Sequence, residues 1–314
     1  MDADRAEGVL LGLACGDALG RPVEFETPAR ILAQYGEVTE MLADGTWGQP
    51  KGTVTDDTEM ALCLARSLVD CGGFDPADVA ARVVAWYESG PFDVGETTAA
   101  ALQRIRGGEP WDVAGRRVWA ESAEGSNAGN GSVIRAAPLA MAFGSHEEAL
   151  VDASETSSRI THADPRCTAG CAVLNLTLAG LSVDRSDPLA AALDRVETPD
   201  ALREALEPVS RGAVDPDDLR STGYVVDTLR TALWHGLSAD TPERALVDVV
   251  NMGRDADTVG AVTGAVVGAR FGAEGLPDRW LDDLEPCDAL RGLARDLHAL
   301  SADLDGSDER GRGG

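Results

Sequence analysis

Lysine is almost absent from this sequence, since Lys51 is the only one among 314 residues. Basic residues total 27 against 54 acidic ones, so the formal net charge is −27. This balance argues against a nucleic-acid partner, because neutralising phosphates requires clustered lysine and arginine. It also predicts a protein adapted to high salt, where the Debye length shrinks to roughly 3 Å at 1 M and self-repulsion is relieved. The alternative is an ordinary acidic protein encoded by a GC-rich genome.

Aromatic residues are scarce as well, at 4% of the chain, whereas hydrophobic residues make up 44%. Close-packed helices suit this mixture better than a β-sandwich, which favours aromatic and β-branched side chains. The longest apolar run near the start, residues 9–15, is too short to cross a bilayer. Asp2, Asp4 and Glu7 stand where a secretory signal has basic residues. We therefore expect a cytoplasmic protein without a membrane partner.

The cysteines give no sign of a disulfide framework or a zinc site. A chain of this size without a signal peptide is expected to keep its thiols reduced and packed inside helices. Cys167 and Cys171 lie one helical turn apart, but no second Cys or His pair accompanies them. The six cysteines are Cys15, Cys63, Cys71, Cys167, Cys171 and Cys287.

Helical patterns recur along the chain, and no alternating strand pattern persists. Pairs such as Asp75-Pro76 and Thr241-Pro242 are typical helix starts. We predict an all-α fold with one domain over residues 1–300 and a disordered tail over 301–314, which is rich in Gly, Asp and Arg. The predicted helices are residues 7–19, 57–70, 76–89, 97–106, 132–143, 147–160, 163–181, 222–235, 241–250 and 257–271.

Two predicted helices carry glycine at every fourth position. Residues four apart share one face of a helix, so each set forms a bare stripe. Interior glycine costs up to about 1 kcal/mol relative to alanine, and close helix–helix approach would offset that cost. We expect these two helices to be central and to pack together, with chance in a glycine-rich chain as the alternative. The sets are Gly8, Gly12, Gly16 and Gly20, and Gly260, Gly264, Gly268 and Gly272.

Two acidic motifs open predicted helices: Thr55-Asp56-Asp57-Thr58 and Asp255-Ala256-Asp257-Thr258. Singly, each has an ordinary explanation, because acids cap helix N–H groups and complement the dipole. If the two motifs meet, their carboxylates repel one another unless cations lie between them. Oxygen-only ligands select Mg²⁺ or Mn²⁺ over zinc, and several bridging carboxylates suit two ions about 3.5–4 Å apart.

These motifs belong to an ordered set that resembles the ADP-ribosylglycohydrolase family over residues 7–272. The resemblance implies a compact single-domain orthogonal helical bundle with a central binuclear Mg²⁺ or Mn²⁺ site. It also implies a hydrolase that cleaves the glycosidic bond between ADP-ribose and a modified group. The segments are Gly16-Asp17-Ala18-Leu19-Gly20 with Glu24, then Thr55–Thr58, Gly129-Asn130-Gly131-Ser132, Thr161-His162 and Asp255–Thr258.

The resemblance also implies roles for individual residues. Glu24 matches a mobile glutamate beside the metals, and His162 matches a histidine that contacts ADP-ribose. Residues Gly129, Asn130, Gly131 and Ser132 match a diphosphate-binding loop, with Ser132 expected to begin a helix whose N–H groups attract anions. Without the resemblance, the loop reads as a polar turn and the histidine as structural. The implied metal ligands are Thr55, Asp56, Asp57, Asp255, Asp257 and Thr258.

Residues 89–98 are similar to a segment of the dinitrogenase reductase-activating glycohydrolase and ADP-ribosylarginine hydrolase branch. The aspartate of that segment serves catalysis on ADP-ribosyl-arginine, which makes Asp93 the candidate acid or base. A turn aspartate after proline is the alternative. Arg254 departs from the pattern, since the family usually has glycine there, and a bulky cation could narrow the site.

We therefore expect a monomer that acts on an ADP-ribosylated protein, with arginine as the modified residue. An O-linked or small-molecule ADP-ribosyl adduct is the alternative substrate. Two other classes fit poorly. A haloacid dehalogenase-type phosphatase needs a buried strand before its acidic motif and a downstream lysine. A crystallin-like, non-enzymatic relative has no need to retain the acids, and this chain retains them all.

Overall fold

Helices account for the whole architecture. The computed structural model describes residues 1–123 and 127–311, and this part contains sixteen α-helices and no β-strand. The all-α prediction is therefore confirmed. The helices are α1 (Ala3–Gly20), α2 (Pro28–Tyr35), α3 (Asp56–Cys71), α4 (Pro76–Glu88), α5 (Glu96–Arg106), α6 (Trp111–Glu121), α7 (Pro138–Phe143), α8 (Glu147–Arg159), α9 (Pro165–Leu181), α10 (Pro188–Arg195), α11 (Asp200–Ser210), α12 (Val225–Ser238), α13 (Pro242–Val250), α14 (Ala256–Phe271), α15 (Asp278–Asp283) and α16 (Cys287–Gly311).

The two glycine stripes face each other at the centre of the fold, as predicted. A β-carbon on Gly12 would lie 2.2 Å from the carbonyl oxygen of Gly264, and one on Gly16 would lie 1.9 Å from that of Gly260. Such separations are far below van der Waals contact, so only glycine allows α1 and α14 to approach this closely. The pairing runs antiparallel, because Gly8 meets Gly268 at the other end.

Small and aliphatic side chains fill the core around this pair. Helices α9 and α14 are buried along almost their entire length. Cys15, Cys63, Cys167 and Cys171 are buried and unpaired within helices, whereas Cys71 is exposed. Within the residues described, none of the helices combines the length and the apolar character needed to cross a membrane.

Helix starts agree with the cap signals. The Asp75 side chain accepts from the backbone N–H groups of Ala77 and Asp78 ahead of α4, with Pro76 in the first turn. The Thr241 side chain accepts from the N–H of Arg244 at the start of α13. Six helices were not predicted: α2, α6, α10, α11, α15 and α16. Two of them carry the same start signal, since Thr27 ahead of α2 and Asp187 ahead of α10 each cap a helix that begins with proline.

The helix predicted over residues 132–143 is wrong in its first half. Residues 131–135 form turns, and α7 begins only at Pro138. The buried Arg135 donates to the carbonyl oxygen of Gly131 at 2.8 Å and to that of Ser157 at 3.1 Å. These hydrogen bonds of the Arg135 guanidinium hold residues 131–135 in turns rather than in a regular helix.

The last helix enters the segment from Ser301 whose disorder stays a prediction. Helix α16 continues to Gly311, while residues 312–314 lie outside the described part. Leu290, Ala294 and Leu297 are buried at helical spacing and attach α16 to the core. Beyond them, the Ser145 hydroxyl donates to the carboxylate of Asp305 at 2.6 Å.

The antiparallel pair determines where the acidic motifs lie. Because α1 and α14 run in opposite directions, the end of α1 and Glu24 lie beside the start of α14, which carries Asp255 and Asp257. The start of α3 joins them there, since the backbone N–H of Thr55 donates to Asp17 of α1 at 3.0 Å. Segments more than 200 residues apart in sequence thus form one site.

Candidate metal and substrate site

An acidic cleft of about 480 Å³ opens at this junction. Seven of the residues that line it are acidic, and none is lysine or arginine. Carboxylates of this number in one cleft predict a cationic ligand, because their mutual repulsion is otherwise uncompensated. The acidic residues are Glu24, Asp56, Asp57, Asp93, Glu96, Asp255 and Asp257.

The two predicted acidic motifs are in contact at the bottom of the cleft. We call this part, formed by Asp56, Asp57, Asp255, Asp257 and Thr258, the floor. Carboxylate oxygens of Glu24, Asp255 and Asp257 lie within 4.8 Å of one another. The hydroxyl of Thr258 lies 3.3 Å from Oδ1 of Asp57, which joins the start of α14 to the start of α3. Within residues 1–123 and 127–311, no hydrogen-bond partner is found for the buried Asp57 Oδ2 or Asp257 Oδ1. Buried carboxylate oxygens are rarely left unpaired, so these two are suited to a metal ion.

The pKa values of the floor carboxyls reflect the same crowding. Burial, with the neighbouring acids adding to it, raises the pKa of Asp57 and of Asp257 well above the usual range. Burial and the charge of Asp93 raise the pKa of Glu24 to about 8. A bound cation would lower these raised pKa values, because its positive charge favours ionised carboxylates. The described floor residues offer only oxygen ligands, which suit hard divalent cations better than zinc.

Two further residues support the floor from below. Asp17 is fully buried and accepts hydrogen bonds from the backbone N–H groups of Thr55 and Thr58. Thr55 is also fully buried, and its hydroxyl accepts from the N–H of Asp57 at 3.4 Å. Thr55 therefore lies behind the cleft surface rather than on it. Asp17 belongs to the Gly-Asp-Ala-Leu-Gly motif, but no sequence pattern assigns it a role.

One wall of the cleft is the loop predicted to hold a diphosphate. Asn130 donates to Oδ2 of Asp255 at 2.6 Å and to the hydroxyl of Thr228 at 3.0 Å. Gly131 has no room for a side chain, since a β-carbon would lie 2.8 Å from the Thr98 hydroxyl and 2.9 Å from His162 Cε1. The loop thus presents its backbone to the cleft.

Ser132 does not line the cleft with this loop. Its side chain is buried and accepts hydrogen bonds from the Ser158 hydroxyl at 2.9 Å and from the Cys171 thiol at 3.5 Å. It also begins no helix, so the expected anion site at a helix N-terminus is absent at Ser132. The side chain instead ties the loop to α8 and α9.

His162 lines the cleft as a buried, neutral imidazole. Arg135 donates to the Thr161 hydroxyl at 2.8 Å, and that hydroxyl lies 2.8 Å from His162 Nδ1. The Thr161 hydroxyl thus joins the Arg135 guanidinium to the His162 ring, whose Nε2 lies beside Gly129 and Gly131. Burial, with the Arg135 guanidinium nearby, lowers the pKa of His162 to about 3. Arg135 was not singled out in the sequence, where no motif marks it.

Asp93 also lines the cleft, from the loop before α5. Burial and the charge of Asp255 raise its pKa to about 6. Glu24, whose pKa the charge of Asp93 helps to raise, accepts a hydrogen bond from Trp47 Nε1 at 2.5 Å. The cleft therefore combines an acidic floor with a further carboxyl whose pKa is raised toward neutral pH.

Arg254 does not narrow this cleft. Its backbone has φ 59°, a left-handed conformation that explains the usual glycine at this position. The exposed side chain instead lines a separate pocket with Arg220 and Met252. The phosphatase interpretation also fails, because helix α13 and a turn precede Asp255 where that enzyme class has a strand.

Comparison with known proteins agrees with this geometry. A sequence model described as ADP-ribosylglycohydrolase matches residues 1–306. The chain belongs to the ADP-ribosylglycohydrolase family. Members of this family are hydrolases of the ADP-ribose glycosidic bond and depend on metal, and the acidic floor could bind a metal ion.

Individual relatives of this ADP-ribosylglycohydrolase cover nearly the whole chain. It is 35% identical to the ADP-ribosyl-[dinitrogen reductase] glycohydrolase of Rhodospirillum rubrum, over 95% of this chain and 96% of that protein. It is also 35% identical to an ADP-ribosylarginine hydrolase of Pseudomonas putida, over 96% of this chain and 80% of that one. A solved structure titled "ADP-ribosylglycohydrolase-related protein complex" matches with a TM-score of 0.79 at 34% identity, over 95% of this chain and 98% of that chain.

Proposed function

We propose that this protein removes ADP-ribose from modified arginine side chains with two divalent ions, Mg²⁺ or Mn²⁺, held on the acidic floor. The observation that carries the proposal is the pair of buried, unpartnered carboxylate oxygens, Asp57 Oδ2 and Asp257 Oδ1. They belong to helices α3 and α14, which meet at the Thr258–Asp57 contact. Asp56, Asp255 and Thr258, with Thr55 behind them, complete the proposed ligand set.

Bound divalent ions would neutralise the floor, orient the vicinal hydroxyls of the ribose and activate water. The rest of the cleft suits the remainder of ADP-ribose, since its volume lies within the ordinary range for small-molecule sites. The backbone of Gly129 and Gly131 approaches the cleft without side chains in the way, and the neutral imidazole of His162 offers a ring nitrogen for hydrogen bonding. These groups suit the diphosphate and the sugar hydroxyls.

Asp93 is the group we place at the bond that breaks. Departure of the arginine nitrogen requires a proton, and a rim carboxyl with a pKa of about 6 can hold and deliver one near neutral pH. The same carboxyl, once ionised, is a bidentate partner for a guanidinium. Glu24 lies close enough to Asp255 and Asp257 to bind or release a proton beside the floor.

The relatives support arginine as the modified residue. The protein from Pseudomonas putida is named for ADP-ribosylarginine, and that from Rhodospirillum rubrum for ADP-ribosyl-[dinitrogen reductase]. A zebrafish ADP-ribosylhydrolase is also similar, but at 25% identity. Arginine is therefore the first substrate to test, with serine-linked ADP-ribose as the contrasting one.

The ligand set is tested with Asp57→Ala and Asp257→Ala. Each should abolish turnover and reduce the number of Mn²⁺ ions bound at equilibrium, while circular dichroism shows a folded chain. In chelator, their thermal midpoints should equal or exceed that of the wild type, because each change removes one carboxylate from a repelling cluster. Exposed Asp112→Ala is the control and should leave both readouts unchanged. A folded Asp257→Ala variant with full activity would refute the proposed site.

A further inference from the structure

Three aromatic side chains gather at the mouth of the acidic cleft, in a chain with few aromatics. The ring centroids of Phe25 and Trp47 lie 6.1 Å apart, and those of Trp47 and Phe92 lie 5.6 Å apart. These residues come from three separate segments of the chain. We call Phe25, Trp47 and Phe92 the aromatic wall.

Backbone hydrogen bonds hold Phe25 in the aromatic wall while its ring stays exposed to solvent. Phe25 has φ 62°, an unfavourable conformation for a bulky side chain. Its N–H donates to the carbonyl oxygen of Arg254 at 2.5 Å, and the N–H of Arg254 donates to that of Glu26 at 2.7 Å. Despite this anchoring the Phe25 side chain is 65% exposed. The strain therefore presents a ring to the cleft without placing it in the core, which is typical of binding sites.

Trp47, which lies between Phe25 and Phe92, is also held in place by hydrogen bonds. The buried Arg21 guanidinium donates to four carbonyl oxygens of the loop that carries Trp47, those of Leu42, Asp44, Pro50 and Thr53. Trp47 Nε1 in turn donates to Glu24. One edge of the indole thus belongs to the acidic floor, while its ring extends the apolar wall.

Carboxylates flank the wall on both sides. Glu24 precedes Phe25, Asp93 follows Phe92, and Glu96 lies a turn further along the rim. Aromatic faces combined with carboxylates are the chemistry that recognises a guanidinium, by cation–π contact and paired hydrogen bonds. An uncharged leaving group gains nothing from this combination.

We propose that the aromatic wall binds the guanidinium of the ADP-ribosylated arginine together with the adjoining polypeptide, and so selects arginine-linked over serine-linked substrates. The inference rests on the proposed function and assigns its leaving-group subsite. Phe25 is a specificity-determining residue there, and it takes no part in proton transfer. Its partner is a cationic peptide segment, complementary to the negative cleft.

The test compares Phe25→Ala, Phe25→Leu and Phe25→Trp on two peptides of one sequence, ADP-ribosylated on arginine or on serine. Phe25→Ala and Phe25→Leu should raise KM for the arginine-linked peptide about 3- to 30-fold, with kcat changed less than about twofold. KM for the serine-linked peptide and the Kd of free ADP-ribose should stay as in wild type. Phe25→Trp keeps an aromatic ring, so its KM for the arginine-linked peptide should also stay as in wild type. Leu32→Ala, equally exposed on α2, is the control.

Each result has one meaning. An unchanged arginine KM in Phe25→Ala, an equal rise for both linkages, or a wild-type KM in Phe25→Leu overturns the aromatic wall as a guanidinium subsite. Failure of the wild type to turn over the arginine-linked peptide overturns the proposed function, and the inference with it.

Discussion

The carboxylate of Asp17 accepts a hydrogen bond from the Thr58 hydroxyl at 2.5 Å and another from the Thr58 backbone N–H at 3.1 Å. These bonds join the central helix α1 to the first turn of α3, where Asp56 and Asp57 face the cleft. The orientation of both acids therefore depends on a residue that does not itself line the cleft. In many proteins, residues that orient the metal ligands without touching the metal change its affinity.

Asp17→Asn should weaken divalent metal binding about 10- to 100-fold, because an amide nitrogen cannot accept the hydrogen bonds that hold the turn. The measurement is the Mg²⁺ or Mn²⁺ concentration that half-saturates the rise in thermal midpoint. Exposed Asp152→Asn on α8 is the matched control and should behave as wild type. Wild-type metal affinity in a folded Asp17→Asn variant would show that Asp17 does not position the site.

Gly12→Ala should destabilise the chain by about 1–3 kcal/mol, because its β-carbon would lie 2.2 Å from the carbonyl oxygen of Gly264. Gly292 in α16 provides the contrast, since nothing lies within 4 Å of the position of its missing β-carbon. Gly292→Ala should stabilise the chain by up to about 1 kcal/mol through helix propensity. Chemical denaturation measures both, and equal effects at the two positions would contradict the close packing of α1 on α14.

In chelator, the thermal midpoint should rise as pH falls from about 9 to about 7. Burial raises the pKa of Glu24 to about 8, so the folded chain binds this proton more tightly than the unfolded chain does. Stability is thus gained as pH falls through the folded pKa and is lost as pH rises through it. Below about pH 6.5 the trend should weaken, since the buried His162 and His235 have lowered pKa values of about 3 and about 4. A midpoint that falls steadily from pH 9 to 7 would contradict these shifts.

The charge balance makes a separate prediction about salt. With a net charge of −27, self-repulsion should destabilise the fold in dilute buffer and decline as counterions screen it. The thermal midpoint of the wild type should therefore rise from low to molar KCl. A flat or falling midpoint over that range would remove the basis for the salt-adapted interpretation while leaving the enzymatic one intact.

Much of the site was predictable because its determinants are local. The glycine stripes of α1 and α14 are periodic, and the two Asp-Thr motifs are contiguous in sequence. The stripes alone indicated that α1 and α14 pack together. They did not indicate that α3 joins this pair, which depends on the hydrogen bonds from Thr55 and Thr58 to Asp17. The structure adds the antiparallel direction, which places Glu24 beside Asp255 and Asp257.

The residues that sequence reasoning missed act through tertiary contacts. Asp17 and Arg135 are buried charged residues whose partners lie far away in sequence, and no periodicity marks them. Phe25 is exposed and isolated along the chain, and only the fold brings it to Trp47. The misplaced helix start at Ser132 has the same cause, since the anchoring of Arg135 overrides local propensity.

The central claim is cleavage at arginine with Asp93 as the proton donor, and turnover of both linkages tests it most directly. Wild type and Asp93→Asn are compared on ADP-ribosyl-arginine and ADP-ribosyl-serine peptides under saturating Mg²⁺ or Mn²⁺, together with the Kd of free ADP-ribose. The account predicts that wild type prefers arginine, and that Asp93→Asn lowers kcat far more than it weakens ADP-ribose binding. A wild-type preference for serine, or an Asp93→Asn enzyme as fast as wild type, would contradict it.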